Sequence, residues 1–136
     1  MTQEEKELVL KDLCARLLYK PYVEISDGKD WYLGNLLAIE IEHDKLCGTI
    51  TNNIAIFEFL PERVKLYLRS LSSMTDKEKK EIQDKHIVIS INTSGKVETD
   101  ANGFDWLNKH HFDYRGLIPM GLALEATKDM YNTKTE

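Results

Sequence analysis

Only two cysteines occur in 136 residues, Cys14 and Cys47, and their spacing fits neither a disulfide framework nor a zinc knuckle. A reducing cytoplasm would keep both as thiols, acting as small apolar fillers. Three prolines and seven glycines are too few for a collagen-like or low-complexity chain. No apolar run approaches the roughly 18 residues of a membrane-crossing helix, so no membrane partner is expected. The opening residues, Met-Thr-Gln-Glu-Glu-Lys-Glu, are acidic where a secretory signal would be basic and then apolar, which points to a cytoplasmic protein. Catalytic and cofactor signatures are missing too. There is no GxGxxG, Walker loop, GxSxG, HExxH or CxxC, so neither a cofactor nor a catalytic residue is expected.

What is present is an ordinary globular composition, 42% hydrophobic and 30% charged, at a length suited to a single domain over residues 1–136. The formal net charge of −5 repels a polyanion at long range and disfavours a general nucleic-acid coat.

Local patterning predicts an α+β fold. Thr2 and Glu5 have capping-box spacing, and Leu10, Leu13, Cys14, Leu17 and Leu18 recur at helical steps. An amphipathic helix over residues 3–18 follows, with the i,i+4 pairs Glu7–Lys11 and Asp12–Arg16 outside its apolar face. From Tyr22 the period becomes two. Residues 22–25 and 31–42 flank a Ser26-Asp27-Gly28-Lys29 turn, as a β-hairpin does, and the odd-numbered Trp31, Leu33, Leu37, Ile39 and Ile41 are expected to face the core. Gly34, on the other face, suggests a bulge or a close backbone contact. A second hairpin is predicted around Asn52-Asn53, and a half-buried strand over residues 64–69.

Thr75 and Glu78 repeat the capping spacing ahead of a short polar helix to about Lys85. His86 to Ile91 reads as a strand paired with Val97 to Thr99. Phe104 to His110 reads as two helical turns, Leu122 to Ala126 as a closing strand, and residues 127–136 as a frayed tail. The expected architecture is an N-terminal helix, a mainly antiparallel sheet or small open barrel of about five to seven strands, and two further short helices.

Three clusters are candidates for chemistry. The densest joins Trp106, His110, His111, Asp113, Tyr114 and Arg115, with imidazole, carboxylate, phenol and guanidinium in one turn-rich stretch. Neighbouring histidines on a helix point about 100° apart, so His110 and His111 would share a metal only if the helix ended between them. A protein-binding turn with Trp106 and Tyr114 as aromatic anchors is the preferred functional reading. It competes with a structural one, in which Asp113 and Arg115 fix the turn itself. Lys65, Tyr67 and Arg69 alternate as cations and an aromatic platform would on a nucleic-acid-binding strand. Glu40, Glu42, His43 and Asp44 form an acidic patch that suits a solvated strand edge better than a cation site.

Three blocks carry a resemblance: Lys11-Asp12-Leu13-Cys14-Ala15-Arg16-Leu17, Val64 to Thr75, and Phe104 to Ile118 continuing through Gly121 to Ala126. In them the chain resembles uncharacterised small proteins of Bacteroides-type gut bacteria and their phages. Those proteins usually have proline where this chain has Leu66 and Ser70, and Pro-Glu-Gly where it has Thr127-Lys128-Asp129. The resemblance implies a phage or mobile-element setting in a bacterial cytoplasm and carries over no catalytic residue. The expected function is that of a non-enzymatic accessory protein that binds a host or phage macromolecule, as in host takeover or anti-defence. A nucleic-acid-binding module and a small metal-dependent hydrolase built on His110, His111 and Asp113 are the alternatives.

Overall fold

A computed structural model describes residues 1–42, 45–51, 53–127 and 129–131. Helix α1 (Gln3–Arg16) starts where the capping box requires. The Thr2 hydroxyl accepts the Glu5 N–H at 3.1 Å, and the Glu5 carboxylate accepts the Thr2 N–H at 2.8 Å. Five strands follow in sequence, interrupted by one 3₁₀ turn at Pro61–Arg63: β1 (Tyr22–Ser26), β2 (Trp31–Glu42), β3 (Lys45–Ile50), β4 (Asn53–Phe59) and β5 (Val64–Leu68). The chain then forms α2 (Asp76–Asp84), a two-residue ribbon of β6 (Ser90–Ile91) and β7 (Val97–Glu98), and α3 (Ala101–Lys109). It returns to the sheet as β8 (Ala123–Glu125).

The main sheet runs β4-β3-β2-β1-β5-β8. Every pairing in it is antiparallel except β5 with β8, where Leu66 faces Ala123 and Leu68 faces Glu125. The fold is therefore α+β with an open, mainly antiparallel sheet, not a closed barrel. Among the described residues, no helix is long and apolar enough to cross a membrane.

One sheet face packs under α1. Val9 and Leu13 of the helix meet Val23, Ile25, Leu36, Ile50, Val64, Leu66 and Leu68 of the sheet, with Leu117, Leu122 and Ala123 closing the cluster. A second core gathers Val97, Trp106, Leu107, Phe112 and Tyr114, with Met74, Ile82, Ile87 and Ile89 packed against it. The whole second core lies on the connection between the parallel strands β5 and β8.

Several expectations change on contact with the fold. The buried stripe of α1 is Val9, Asp12, Leu13 and Arg16, whereas Cys14 is exposed and Leu18 is 80% exposed. Asp12 and Arg16 lie inside as an ion pair that the far end of the chain completes, with only Arg16 Nη1 left without a hydrogen bond among their described side-chain atoms. Arg16 Nε donates to Asp12 at 2.8 Å and Nη2 donates to the Phe112 carbonyl at 2.6 Å, while Arg115 Nε donates to the other Asp12 oxygen at 2.9 Å.

The phase of β2 is also inverted over its first half. Gly34 and Leu36 face the core, and Trp31, Leu33 and Leu37 face outward. Leu36 pairs with Ile50 and Ala38 with Thr49, so Leu37 is the extra residue of a bulge. The bulge turns Ile39 back toward the core, where the odd-numbered reading holds. Gly34 lies against β3, since a Cβ there would stand 3.2 Å from Ile50.

Elsewhere the predicted strand at residues 86–91 shrinks to β6, because His86 adopts φ +56° at the end of α2 and Ile87 and Ile89 turn into the second core. Helix α3 begins earlier than predicted, with the Asp100 carboxylate accepting the Gly103 N–H at 2.8 Å. Tyr131 is buried, unlike a frayed end. Its hydroxyl accepts the Tyr22 N–H at 2.8 Å and donates to the Tyr67 carbonyl at 2.7 Å, bridging β1 and β5 where the strands part. His43, Asp44, Asn52, Lys128 and residues 132–136 lie outside the described residues. Of the acidic patch, Glu40 is exposed.

Candidate functional site

The His110–Arg115 stretch is a joint between the two cores. Helix α3 ends as Phe112 N–H reaches back to the Leu107 carbonyl at 3.0 Å and His111 N–H to the Asn108 carbonyl at 3.1 Å. This closure places His111 at φ +64°, where glycine is the usual residue. The next residues continue the sheet. Arg69 N–H donates to the His111 carbonyl and Asp113 N–H to the Arg69 carbonyl, each at 2.8 Å.

Side chains of the joint are turned inward. Trp106 is 4% exposed, stacks on Phe112 with centroids 5.7 Å apart, and donates its indole N–H to Glu81 at 3.2 Å. Tyr114 is buried against Phe104. Asp113 accepts the Leu117 and Ile118 N–H groups at 2.8 and 2.9 Å, holding the following turn. Arg115 is tied to Asp12. The aromatic anchors and the charged hook expected on the surface are thus packing and turn-fixing groups. Asp113 is turned to the Leu117–Ile118 backbone, away from the cleft that His110 and His111 line. No cluster of three or more metal-ligating side chains forms among the described residues.

The strand triad is not a free basic face either. Arg69 is 8% exposed and forms a bidentate pair with Glu78, both bonds 2.7 Å, over the Phe112 ring at 4.2 Å. The Tyr67 hydroxyl donates to Glu24, and burial together with that bond pushes its pKa up to about 12. Of the three, only Lys65 has no hydrogen-bond or ion-pair partner among the described residues.

Two features missed by sequence reasoning carry more functional promise. The first is the outer sheet face. Trp31, Leu33 and Leu37 are 53%, 45% and 42% exposed on the side opposite α1, and register sets Glu24 between Leu33 and Lys65. No core cluster of the described residues includes them.

The second is a cleft of about 420 Å³ between one end of the sheet and the α2–α3 layer. Tyr19 and Lys20 enter it from the turn after α1, Asn35 and Leu37 from β2, Lys77 and Glu81 from α2, and Lys109 to His111 from the end of α3. His110 Nδ1 stands 3.3 Å from Glu78, while its Nε2 is buried without a hydrogen bond, 3.9 Å from Glu81. Burial lowers the His110 pKa, and the two carboxylates only partly oppose that. His111 stacks flat on Tyr131 at 3.7 Å with Nδ1 also unpartnered. Burial, reinforced by the Arg16 charge, takes its pKa down to about 3, so both imidazoles are neutral at pH 7. Neither imidazole hydrogen-bonds a hydroxyl or thiol among the described residues, so no activated nucleophile is assembled there.

Seven separate segments build the cleft, which is why no spacing rule finds it. A signal was present only in retrospect, in non-glycine residues just past helix ends. No family model, curated protein or solved structure matches this chain.

Proposed function

We propose that the protein is a non-enzymatic accessory protein that works by docking a protein partner on the outer face of its sheet. The observation that carries this reading is the Trp31–Leu33–Leu37 stripe, an apolar row on a face that α1 does not cover. Burying such a row against a partner recovers roughly 25 cal/mol per Å² of apolar surface, and tryptophan is a favoured interface anchor. Glu24 and Lys65 beside the stripe supply the polar rim such an interface needs. The net charge of −5 and the engagement of Arg69 with Glu78 favour a protein over a nucleic acid on this face. The resemblance of three blocks to proteins of Bacteroides-type bacteria and their phages implies a setting, in which the partner is a host or phage protein.

The test is affinity capture from phage-infected host cells with the wild-type chain and with Trp31→Asp and Leu37→Asp variants. Circular dichroism checks that both variants fold. The expected result is a partner retained by the wild type and lost by both folded variants. Equal capture by all three would place the binding surface elsewhere.

A further inference from the structure

We infer that the cleft between the sheet end and the α2–α3 layer is a binding site for a planar ring bearing a phosphate, of the size and charge of a nucleoside monophosphate.

Charge is the first ground. Four cations and two anions line the cleft, but they are not equivalent. Arg69 and Glu78 cancel in their bidentate pair, and Glu81 is engaged by Lys85 at 2.9 Å. Lys20, Lys77 and Lys109 have no carboxylate partner among the described residues. Three uncompensated ammonium groups thus ring one concavity on a chain of net charge −5. Such a local reversal of sign concentrates an anion there.

Shape is the second ground. Tyr19, Leu37, Met130 and the His111–Tyr131 stack give the cleft flat, weakly polar walls. Its volume of about 420 Å³ falls in the range of small-ligand sites, and well above what inorganic phosphate fills. Buried imidazole nitrogens complete the recognition set. His110 Nε2 and His111 Nδ1 have no hydrogen-bond partner, and a ring with amino and ring-nitrogen edges offers both donors and acceptors.

Backbone conformation is the third. Among the described residues, only Lys20, His86 and His111 adopt positive φ without being glycine. Two of the three line this cleft. At Lys20 and His111 the side chains that line the cleft are thus carried on backbone that glycine adopts more readily.

The occupant proposed for the cleft differs from the partner proposed for the sheet face; Leu37 borders both, so Trp31→Asp on the face and the lysine substitutions in the cleft are the changes that separate the two. The test is a heteronuclear NMR titration of the full chain with AMP, with adenosine as the uncharged ring and inorganic phosphate as the bare charge. Saturable shifts confined to residues of the cleft are expected with AMP. Adenosine and phosphate should each bind about tenfold more weakly or worse, because each satisfies one half of the site. A Lys20→Gln/Lys77→Gln/Lys109→Gln variant alters only exposed side chains and should fold normally, with AMP affinity down about tenfold or more and a shallower salt dependence. Absence of saturable shifts with AMP at millimolar concentration would overturn the proposal. So would equal affinity of wild type and the triple variant, or phosphate binding as tightly as AMP, which would make the site adventitious for any small anion.

Discussion

Removing the Glu78 carboxylate tests the account of how the two cores are joined. Glu78 holds Arg69 through two 2.7 Å bonds, with side-chain exposures of 7% and 9% for the pair. It also accepts the Thr75 N–H at 3.0 Å, which caps α2. Leaving a buried guanidinium uncompensated costs about 3–5 kcal/mol, and losing the cap about 1 kcal/mol. Arg69 keeps the Ser73 carbonyl at 3.2 Å and the Phe112 ring, so the lower part of that range applies. Glu78→Ala should therefore cost about 4 kcal/mol, a large part of the 5–15 kcal/mol typical of a whole domain. Glu78→Gln retains one oxygen, which can still accept from Thr75 N–H and Arg69 Nη2, but sets an NH2 against Nη1, and should cost about half as much.

The carboxylate also fixes a pH signature. Burial raises the Glu78 pKa, but the Arg69 and Thr75 hydrogen bonds outweigh it and bring the pKa from 4.5 down to about 2. A depressed carboxylate pKa stabilises the fold above pH 4.5, and that contribution disappears as pH falls toward 2. Its full size is about 3 kcal/mol. Urea unfolding followed by circular dichroism, for wild type and both variants at pH 7 and across pH 5 to 3, measures both effects. If Glu78→Ala cost less than about 1 kcal/mol, or Glu78→Gln kept the full acid slope, the buried Arg69–Glu78 pair would not brace the His110–Arg115 joint.

Other positions give independent checks. His111 has a folded pKa near 3 against 6.5 for the free side chain, so the unfolded chain binds the extra proton and stability should fall by about 2 kcal/mol from pH 7 to pH 5. His111→Asn, which tolerates positive φ and does not titrate, should flatten that part of the stability profile. Gly103→Ala should lower the melting temperature even though alanine is the better helix former, because the new Cβ would lie 1.8 Å from Thr99 Oγ1. Thermal denaturation of the single variant and of the pair with Thr99→Ala would show the clash and its partial relief. Tyr131→Phe removes the hydroxyl that bridges Tyr22 and Tyr67, and should cost about 1–3 kcal/mol in equilibrium unfolding.

Sequence patterning reads well where a few adjacent residues settle the structure. Both capping boxes, at Thr2 and Thr75, and the Asp27-Gly28 hairpin turn belong to this class, because their hydrogen bonds close within five residues. Reading failed where distant segments decide. Asp12 and Arg16 look like a surface pair until Phe112 and Arg115 arrive from the far end of the chain. Trp31 and Leu33 face opposite to Ile39 because a bulge at Leu37, seen only in the pairing with β3, lies between them. The polar stretch at His110–Arg115 has the composition of a reactive site, yet its carboxylate holds the backbone of the next turn and its guanidinium pairs with Asp12 of α1.

The long excursion between β5 and β8 has a consequence for biosynthesis. As the chain emerges from the ribosome, α1 and the first five strands can assemble while β5 is still a bare edge. Its parallel neighbour, Ala123–Glu125, is made only after the whole second core has been synthesised. Until then the N–H and C=O groups of β5 that later meet β8 are open to a wrong strand, the usual route to aggregation. Phe112, which bridges to Arg69 just past the end of α3, is made one step earlier, so that bridge is available to set the return path along β5. The joint between the cores is thus also the guide by which the nascent sheet acquires its last strand.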